Sequence, residues 1–187
     1  TIQSMADSGP DGKRHWDQML ETVLETFLRD GIIVDAVVAQ TEAQRQEMWA
    51  RREMAAELSL RNRPLVNNDI ALPIDQVEQF LTRAEAAVIK VCPTAKILEV
   101  AHLGDGNVHY VVWPHVNDAE ILDTIMETVE DIVLDLGGSF SAEHGIGRSK
   151  LNSMRRRKDA VALNVMRGIK RTLDPLNIMN PGKVIPD

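Results

Sequence analysis

The ten residues Ala101–Tyr110, "AHLGDGNVHY", set a glycine-rich turn between two aliphatic, β-branched runs. Such runs have strand character, and the Gly, Asp and Asn residues between them are those that tight turns favour. The sequence therefore predicts a hairpin over residues 96–113. Because a tight hairpin joins antiparallel strands, this stretch disfavours a fully parallel sheet and decides the fold class.

The register of the hairpin decides where its two histidines point. A loop over Gly104–Asn107 sets His102 directly opposite His109. Directly opposed residues on antiparallel strands share a sheet face, with Cβ atoms roughly 5 Å apart. Two imidazoles in that position can bind one metal ion, at about 2.0–2.1 Å each. Two polar histidines beside an ordinary turn would show the same spacing, so the hairpin alone leaves both interpretations open.

Segments on both sides of the hairpin alternate between helical and strand patterns. Apolar residues at helical spacing predict helices over 16–28, 42–58, 74–90, 119–136 and 158–173, the second one capped by Thr41. Further strands are predicted at "IIVDAVVAQ" (32–40), "NNDIALP" (67–73) and "SFSA" (139–142). We expect one α+β domain over residues 1–187, with an antiparallel sheet and helices packed mainly on one face.

Composition excludes several classes of protein. The 187 residues carry 21 basic and 28 acidic side chains, and a net charge of −7 argues against a nucleic-acid-binding surface. The one dense basic run, 155–158, is interpreted as a solvated helix face. Apolar runs are all far shorter than the roughly 18 residues of a membrane span. The single cysteine, Cys92, suits a reducing compartment, so we expect a cytoplasmic protein, at most attached to a membrane surface through an electron acceptor.

A second chemistry-bearing stretch, "SAEHGIGRSK", supplies Glu143 and His144 in a glycine-flanked segment. Adjacent residues point to different sides of an extended backbone, so one of the two can bind a metal while the other faces a substrate. Two histidines and one carboxylate form a site with open positions, as catalytic metals need. Pairing of Glu143 with Arg148 on the surface is the competing interpretation, and the sequence does not choose between them.

Several of these stretches, in this order along the chain, resemble one known family. The stretches are "MWARRE" (48–53), "NDIALP" (68–73), "HLGDGNVH" (102–109), "EHGIGRSK" (143–150) and "LDPLNIMNPGKVI" (173–185). Together they resemble the C-terminal domain of FAD-linked oxidases, the flavin-dependent 2-hydroxy-acid dehydrogenases that include D-lactate dehydrogenase, the glycolate oxidase FAD subunit and D-2-hydroxyglutarate dehydrogenase. The resemblance runs from about Trp16 to Pro186 and implies an α+β fold with ferredoxin-like elements.

The resemblance implies a role for each matching residue. His102, His109 and Glu143 match the ligands of a divalent metal (Zn, Mn or Fe), and His144 matches the general base. Arg52 matches the arginine that binds the substrate carboxylate, a task that suits its planar fork. In the same family Glu143 and Asn180 lie near the cofactor, although "NPGK" around Asn180 is equally well explained as a C-terminal turn.

The resemblance also implies partners. FAD is held mainly by a separate N-terminal domain, expected in cis, and this chain shows no Gly-x-Gly-x-x-Gly cradle of its own. The substrate is a small D-2-hydroxy acid, oxidised to the 2-oxo acid with hydride transfer to FAD, and homodimerisation stays open. A stand-alone metalloenzyme and a non-catalytic dimerisation domain are the competing hypotheses.

Two substrate-contact positions depart from the family pattern. Asn67 stands where relatives often carry a lysine, and Val111 stands where they often carry a polar residue. Because both changes remove a partner for a second carboxylate, we expect a D-lactate or glycolate type of substrate.

Overall fold

The computed structural model of this chain describes residues 15–59 and 63–186, and the chain divides between Arg51 and Arg52 into two units. Helix α1 spans His15–Arg29, and helix α2 spans Glu42–Ser59. The predicted cap of α2 is confirmed, because the Thr41 hydroxyl accepts a hydrogen bond from the Gln44 backbone N–H at 3.2 Å. The Gln44 side chain in turn accepts from the Thr41 N–H at 3.1 Å, which completes a capping box.

The strand predicted at residues 32–40 is wrong. This segment is irregular, and Val34 and Val37 are 100% and 74% exposed. β-branched residues favour an extended backbone, but a strand also needs a neighbouring strand to pair its N–H and C=O groups. The described residues of this unit provide no such strand.

The second unit is built on a three-stranded antiparallel sheet, counted over its described residues. Strands β1 (Val66–Ala71), β2 (Lys96–His102) and β3 (Asn107–Trp113) lie in the order β1-β3-β2. The hairpin and the short strand before Pro73 are therefore confirmed. Because β3 is central, every side chain on it has neighbours on both sides.

Helices cover one face of this sheet. A 3₁₀ turn at Ile74–Gln76 leads into α3 (Val77–Val91), and α4 (Ala119–Asp135) begins at Asp118, whose carboxylate accepts from the N–H groups of Glu120 and Ile121. The main core lies between these two helices and the sheet, and includes the fully buried Ile70, Phe80, Val108, Tyr110, Val112 and Val129. The predicted α+β class, with helices mainly on one face, is confirmed.

The pairing predicted for the hairpin is shifted. His102 lies opposite Asn107, and His109 lies opposite Val100, so the two histidines are not directly opposed. The loop covers residues 103–106 because the Asp105 carboxylate accepts from the Asn107 N–H at 3.1 Å, which draws Asn107 into the strand. Gly106, with φ of +75°, closes the turn.

Two further expectations are corrected after residue 138. The stretch 139–142 forms only an isolated bridge between Ser139 and Ala71 rather than a strand. The basic run is only in part a solvated face: Arg155, Arg156 and Lys158 are exposed, but Arg156 and Arg157, at the end of helix α5 (Leu151–Arg157), also bond to α4. Arg157 donates to the buried Glu130 at 3.4 Å and also pairs with Asp131. Helix α6 (Ala160–Leu173) follows, close to its predicted bounds.

Candidate functional site

The face of the sheet opposite the core carries the predicted site residues. Side chains alternate between faces along a strand, so Asn67 and Asp69 on β1 share this face with His109 and Val111 on β3. The register confirms the grouping, since Asp69 pairs with His109 and Asn67 pairs with Val111. The core residues alternate with these positions on the same strands.

His102 and His109 lie on this face as diagonal neighbours. Their ring centroids are 5.4 Å apart, with the ring planes at 81°. His102 pairs with Asn107 instead of His109, which is a register shift of two residues. Because side chains alternate between the faces of a sheet with a period of two, this shift leaves both histidines on the same face. The two imidazoles thus share a sheet face, as predicted, although the predicted direct pairing is wrong.

Glu143 lies at the centre of the cluster. Its Oε1 atom is 3.0 Å from His109 Nε2, 3.6 Å from His144 Nε2 and 3.9 Å from His102 Nε2. The rings of His109 and His144 are stacked, with centroids 5.2 Å apart. In the described part of the chain, the ion-pair contacts of Glu143 are to these histidines, so the surface pair with Arg148 is not the arrangement found.

Asp69, on strand β1, holds the turn that carries Glu143 and His144 through hydrogen bonds to its backbone. The Asp69 carboxylate accepts from the backbone N–H of His144 at 2.8 Å and from that of Glu143 at 3.1 Å. Lys150, itself buried, donates from Nζ to Asp69 Oδ2 at 3.3 Å and to Ser141 Oγ at 2.9 Å. A strand residue therefore fixes two functional residues that lie more than 70 positions later in the sequence.

The electrostatics of the cluster favour a charged Asp69 and a neutral His109. Burial of Asp69, which is 1% exposed, acts to raise its pKa, but the two backbone N–H groups and the Lys150 ammonium outweigh burial and leave that pKa below its usual range. Burial lowers the pKa of His109, with help from the nearby His144 and His102 rings and against the attraction of Glu143 and Asp69. A neutral imidazole keeps the lone pair that binds a metal.

The donor set fits a divalent metal. Two ligands of one ion bound at about 2.1 Å are at most about 4.2 Å apart. All three distances from Glu143 Oε1 to the histidine Nε2 atoms fall below that limit. Asp69, His109, Glu143 and His144 each offer an atom within 4.8 Å of the others, and the predicted ligand His102 lies outside this group. Imidazole nitrogen and carboxylate oxygen are donors that Zn, Mn and Fe accept.

Four other predicted residues lie at different distances from this cluster. Arg52 Nη2 is 3.2 Å from His102 Nδ1, so its guanidinium adjoins a predicted ligand. Asn67 and the buried Val111 form the next row of the same sheet face. Asn180 lies outside the cluster, exposed in the C-terminal turn, where its side chain accepts from Lys183 Nζ at 3.1 Å.

A cavity of about 580 Å³ opens beside Asp69 and His144. Its wall includes Asn67 and Lys150, with apolar side chains from Leu65, Leu122, Met126 and Ile146. This volume lies within the range of small-molecule sites. Asp69 and His144 are the members of the cluster that line it, so a small ligand in the cavity would lie next to His144.

Sequence reasoning missed Asp69 and Lys150 as site residues. The signal available for Asp69 was a carboxylate inside a short strand, where a charged residue is rarely buried without a partner. For Lys150 the sequence offers no comparable signal, because its contacts depend on a residue 81 positions earlier.

The fold and the cluster define an α+β domain with a histidine–carboxylate site beside a cavity. The family described as FAD linked oxidases, C-terminal domain, matches residues 5–184, and the chain belongs to this family.

Named relatives agree with that assignment. D-2-hydroxyglutarate dehydrogenase, mitochondrial, of Rattus norvegicus is 32% identical over 92% of this chain and 32% of its own length. D-2-hydroxyglutarate dehydrogenase of Stutzerimonas stutzeri is 32% identical over 90% of this chain and 38% of its own. Probable D-lactate dehydrogenase, mitochondrial, of Danio rerio is 32% identical over 88% and 34%. The chain thus spans about a third of the length of these relatives. Among the described residues, no helix is both long and apolar enough to cross a bilayer.

Proposed function

We propose that this chain is the substrate- and metal-binding part of an FAD-dependent dehydrogenase that oxidises a D-2-hydroxy acid to the 2-oxo acid. The observation that carries the proposal is the convergence of three histidine Nε2 atoms on Glu143 Oε1, beside a cavity, in a domain of this family. FAD, held by a further domain in cis, would supply the acceptor for the hydride from C2.

His102, His109 and Glu143 are the proposed metal ligands. A bound Zn, Mn or Fe ion would supply Lewis-acid polarisation of the substrate hydroxyl. The three side chains come from β2, from β3 and from the segment before α5, so the ion would also tie these elements together. His102 is the outermost ligand, since its contact with Glu143 is the longest of the three.

His144 is the proposed general base. Its Nε2 atom faces the centre of the cluster, 3.6 Å from Glu143 Oε1, and its side chain is half exposed beside the cavity. A substrate hydroxyl at this centre would lie within reach of that nitrogen, and histidine can accept a proton near neutral pH.

Arg52 and the adjoining row of the sheet would select the substrate. Arg52, next to His102, would bind the carboxylate and fix which face of C2 is presented. The next row of the same face consists of Asn67, Val111 and Leu98, with no cation among them. The cavity wall carries Lys150, which is already paired with Asp69, and the exposed Arg63. Because the row on the sheet supplies no cation, we propose a substrate with one carboxylate and a small tail, of the D-lactate or glycolate type.

Flavin bleaching in the FAD-containing enzyme tests this function. D-Lactate, glycolate and D-2-hydroxyglutarate are added separately, with and without a chelator, and flavin absorbance is followed. We expect bleaching by one of the first two acids, and loss of bleaching after chelation. Bleaching by D-2-hydroxyglutarate alone would overturn the substrate assignment, and no bleaching by any 2-hydroxy acid would overturn the function.

Elemental analysis tests the ligand assignment separately. His102→Ala and His109→Ala should lower the metal content of the purified chain, while His144→Ala should leave it unchanged. A loss of metal in His144→Ala would make His144 a ligand rather than the base.

A further inference from the structure

Helix α6 exposes a row of apolar side chains along one side. Val161, Val165, Ile169 and Leu173 follow each other at four-residue spacing, which places them next to one another on the helix surface. Each of the four is more than half exposed, whereas Leu163, on another side of the helix, is buried. Single exposed apolar residues are ordinary on a soluble protein, but a continuous apolar patch marks an interaction surface.

The row continues into a groove between α6 and the C-terminal segment, called the α6 groove below. The groove has a volume of about 430 Å³, and its lining includes Ile169 and Leu173 from α6 and Met179 and Val184 from the segment after it. Lys170 also lines the groove, but its ammonium already donates to the Met179 backbone carbonyl at 2.6 Å. The groove therefore offers mainly apolar contact to whatever covers it.

The α6 groove adjoins the segment that carries the candidate site. The backbone N–H of Val184, in the groove, donates to the Gly147 carbonyl at 2.8 Å. Gly147 lies three residues after His144 and lines the same cavity as His144 does. A molecule that covers the groove would therefore border the segment that carries the proposed base.

The length of the relatives bears on what this molecule is. The Rattus norvegicus relative matches 92% of this chain with 32% of its own length, so more than half of such a protein lies outside the chain. In the proposed reaction FAD is held there, and a hydride passes only between atoms in contact, about 3–3.5 Å apart. The FAD-holding domain must therefore lie against the candidate site. The other face of the sheet is already covered by α3 and α4.

We propose that the α6 groove and the apolar row 161–173 are the docking surface for the FAD-holding domain of the same protein. This inference rests on the proposed function, because it gives that domain its place. Interfaces between the domains of one chain commonly bury about 600–1,500 Å² and are partly polar. Arg171 and Lys183 are exposed beside the groove. The facing surface should therefore be apolar at its centre and acidic at its border.

Cysteine labelling measures whether this surface is covered. The native Cys92 is buried, so it reacts slowly with a maleimide unless the chain unfolds. Ile169→Cys and Val165→Cys place a thiol on the row, and Ile74→Cys, at a similarly exposed position before α3, is the matched control. Labelling rates are compared between the 187-residue chain and the FAD-containing enzyme, and each labelled site is identified by mass spectrometry of its peptide.

We expect Ile169→Cys and Val165→Cys to label about tenfold more slowly in the FAD-containing enzyme than in the 187-residue chain. A linked domain has an effective concentration of about 1 mM, so even an interface with a Kd of roughly 0.1 mM would be open about a tenth of the time. Ile74→Cys should label equally in both. Equal rates for the two α6 variants would overturn the docking surface. Rapid labelling of Cys92 reveals a variant that fails to fold, and the other α6 position then decides.

Three further outcomes would assign the surface to a different occupant, and each overturns the proposal. Slow labelling of the 187-residue chain that becomes fast on dilution, with a dimer in light scattering, would assign it to a second copy. Slow labelling at every dilution would mean that the chain itself covers the row. Slow labelling of the FAD-containing enzyme only after vesicles of anionic lipid are added would assign it to a membrane surface.

A charge on the row tests the same proposal through stability. Ile169→Asp should leave the melting temperature of the 187-residue chain near wild type, because the side chain is exposed there. It should lower the melting temperature of the FAD-containing enzyme, since docking would bury the new carboxylate. Ile74→Asp should change neither value. An equal loss in both proteins after Ile169→Asp would indicate a role in folding and would overturn the docking role.

The outcomes separate this inference from the proposed function. Slow labelling of the α6 variants in the FAD-containing enzyme, without flavin bleaching by any 2-hydroxy acid, would keep the docking surface and overturn the reaction. Flavin bleaching with unchanged labelling would keep the reaction and overturn the docking surface.

Discussion

The two faces of the sheet carry side chains of opposite character, apolar on one face and polar on the other. On one face Ile70 and Tyr110 are fully buried under α3 and α4. On the other face their strand neighbours Asp69 and His109 form a polar cluster with residues from the segment before α5. Because side chains alternate between the two faces along each strand, a core residue and a residue of the candidate site are direct neighbours in the sequence. Substitutions on one face should therefore change folding, and substitutions on the other should change the reaction.

The largest effect is expected on the face that carries the polar cluster, called the chemical face below. His144→Ala in the FAD-containing enzyme should lower turnover by about 10²–10⁴-fold, because general-base catalysis contributes that much. Flavin content and the melting temperature should stay near wild type, since the side chain is half exposed. Steady-state kinetics and the flavin absorbance measure both quantities.

The control for His144→Ala is His115→Gln, at an exposed histidine in the loop after Pro114. It should leave turnover unchanged. Turnover of His144→Ala within a factor of a few of wild type would remove His144 from the base role and weaken the contrast between the two faces.

The second effect belongs to the core face. Phe80 is fully buried, with its ring 5.4 Å from that of Tyr110 in an edge-to-face contact. Phe80→Ala should lower the free energy of unfolding by about 3–5 kcal/mol, through lost burial and the cavity left behind. Denaturant unfolding measures this change, and Zn²⁺ affinity of the folded fraction should be unaltered.

Ile74→Ala is the matched control, because Ile74 is 60% exposed beside the same helix. It should cost well under 1 kcal/mol. Equal losses in the two variants would mean that the core does not rest on the helix-covered face.

The sequence predicted the helix-covered face better than the chemical face. Strand alternation and helical spacing are local patterns, and they placed the hairpin, β1, α3 and α4 correctly. They also put His102 and His109 on one face, because a register error of two leaves the faces unchanged. The β-branched run at 32–40 was misassigned, since local propensity says nothing about a pairing partner.

The support of the cluster depends on contacts that are distant in the sequence. Asp69 meets the backbone of Glu143 and His144 over 74 and 75 positions, and Lys150 over 81. No local sequence pattern around Asp69 or Lys150 indicates which residue it contacts. The basic run at 155–158 shows the same limit, since its pairing with Asp123 and Glu130 follows only from how α5 packs on α4.

A third substitution should disturb both faces together. Gly106 has φ of +75°, and a Cβ there would lie 2.0 Å from the Leu72 carbonyl oxygen. Gly106→Ala should lower the free energy of unfolding by about 1–3 kcal/mol through backbone strain. Because the turn aligns β2 with β3, Zn²⁺ affinity should fall as well, which denaturant unfolding and calorimetry would show.

Gly104→Ala is the control from the same loop, where an added Cβ meets nothing within 4 Å. It should be close to neutral for both measurements. Loss of stability in Gly106→Ala with unchanged metal affinity would show that the histidines do not depend on the hairpin register.

The smallest effect should leave the chemical face untouched. Asp118 caps α4, and its carboxylate accepts from the N–H groups of Glu120 at 2.8 Å and Ile121 at 3.3 Å. Asp118→Ala should lower the free energy of unfolding by about 1 kcal/mol, while Asp118→Asn should retain most of the cap. Thermal unfolding measures both, and neither variant should change Zn²⁺ affinity. A drop in metal affinity after Asp118→Ala would contradict the separation of the two faces, because α4 would then control the cluster across the sheet.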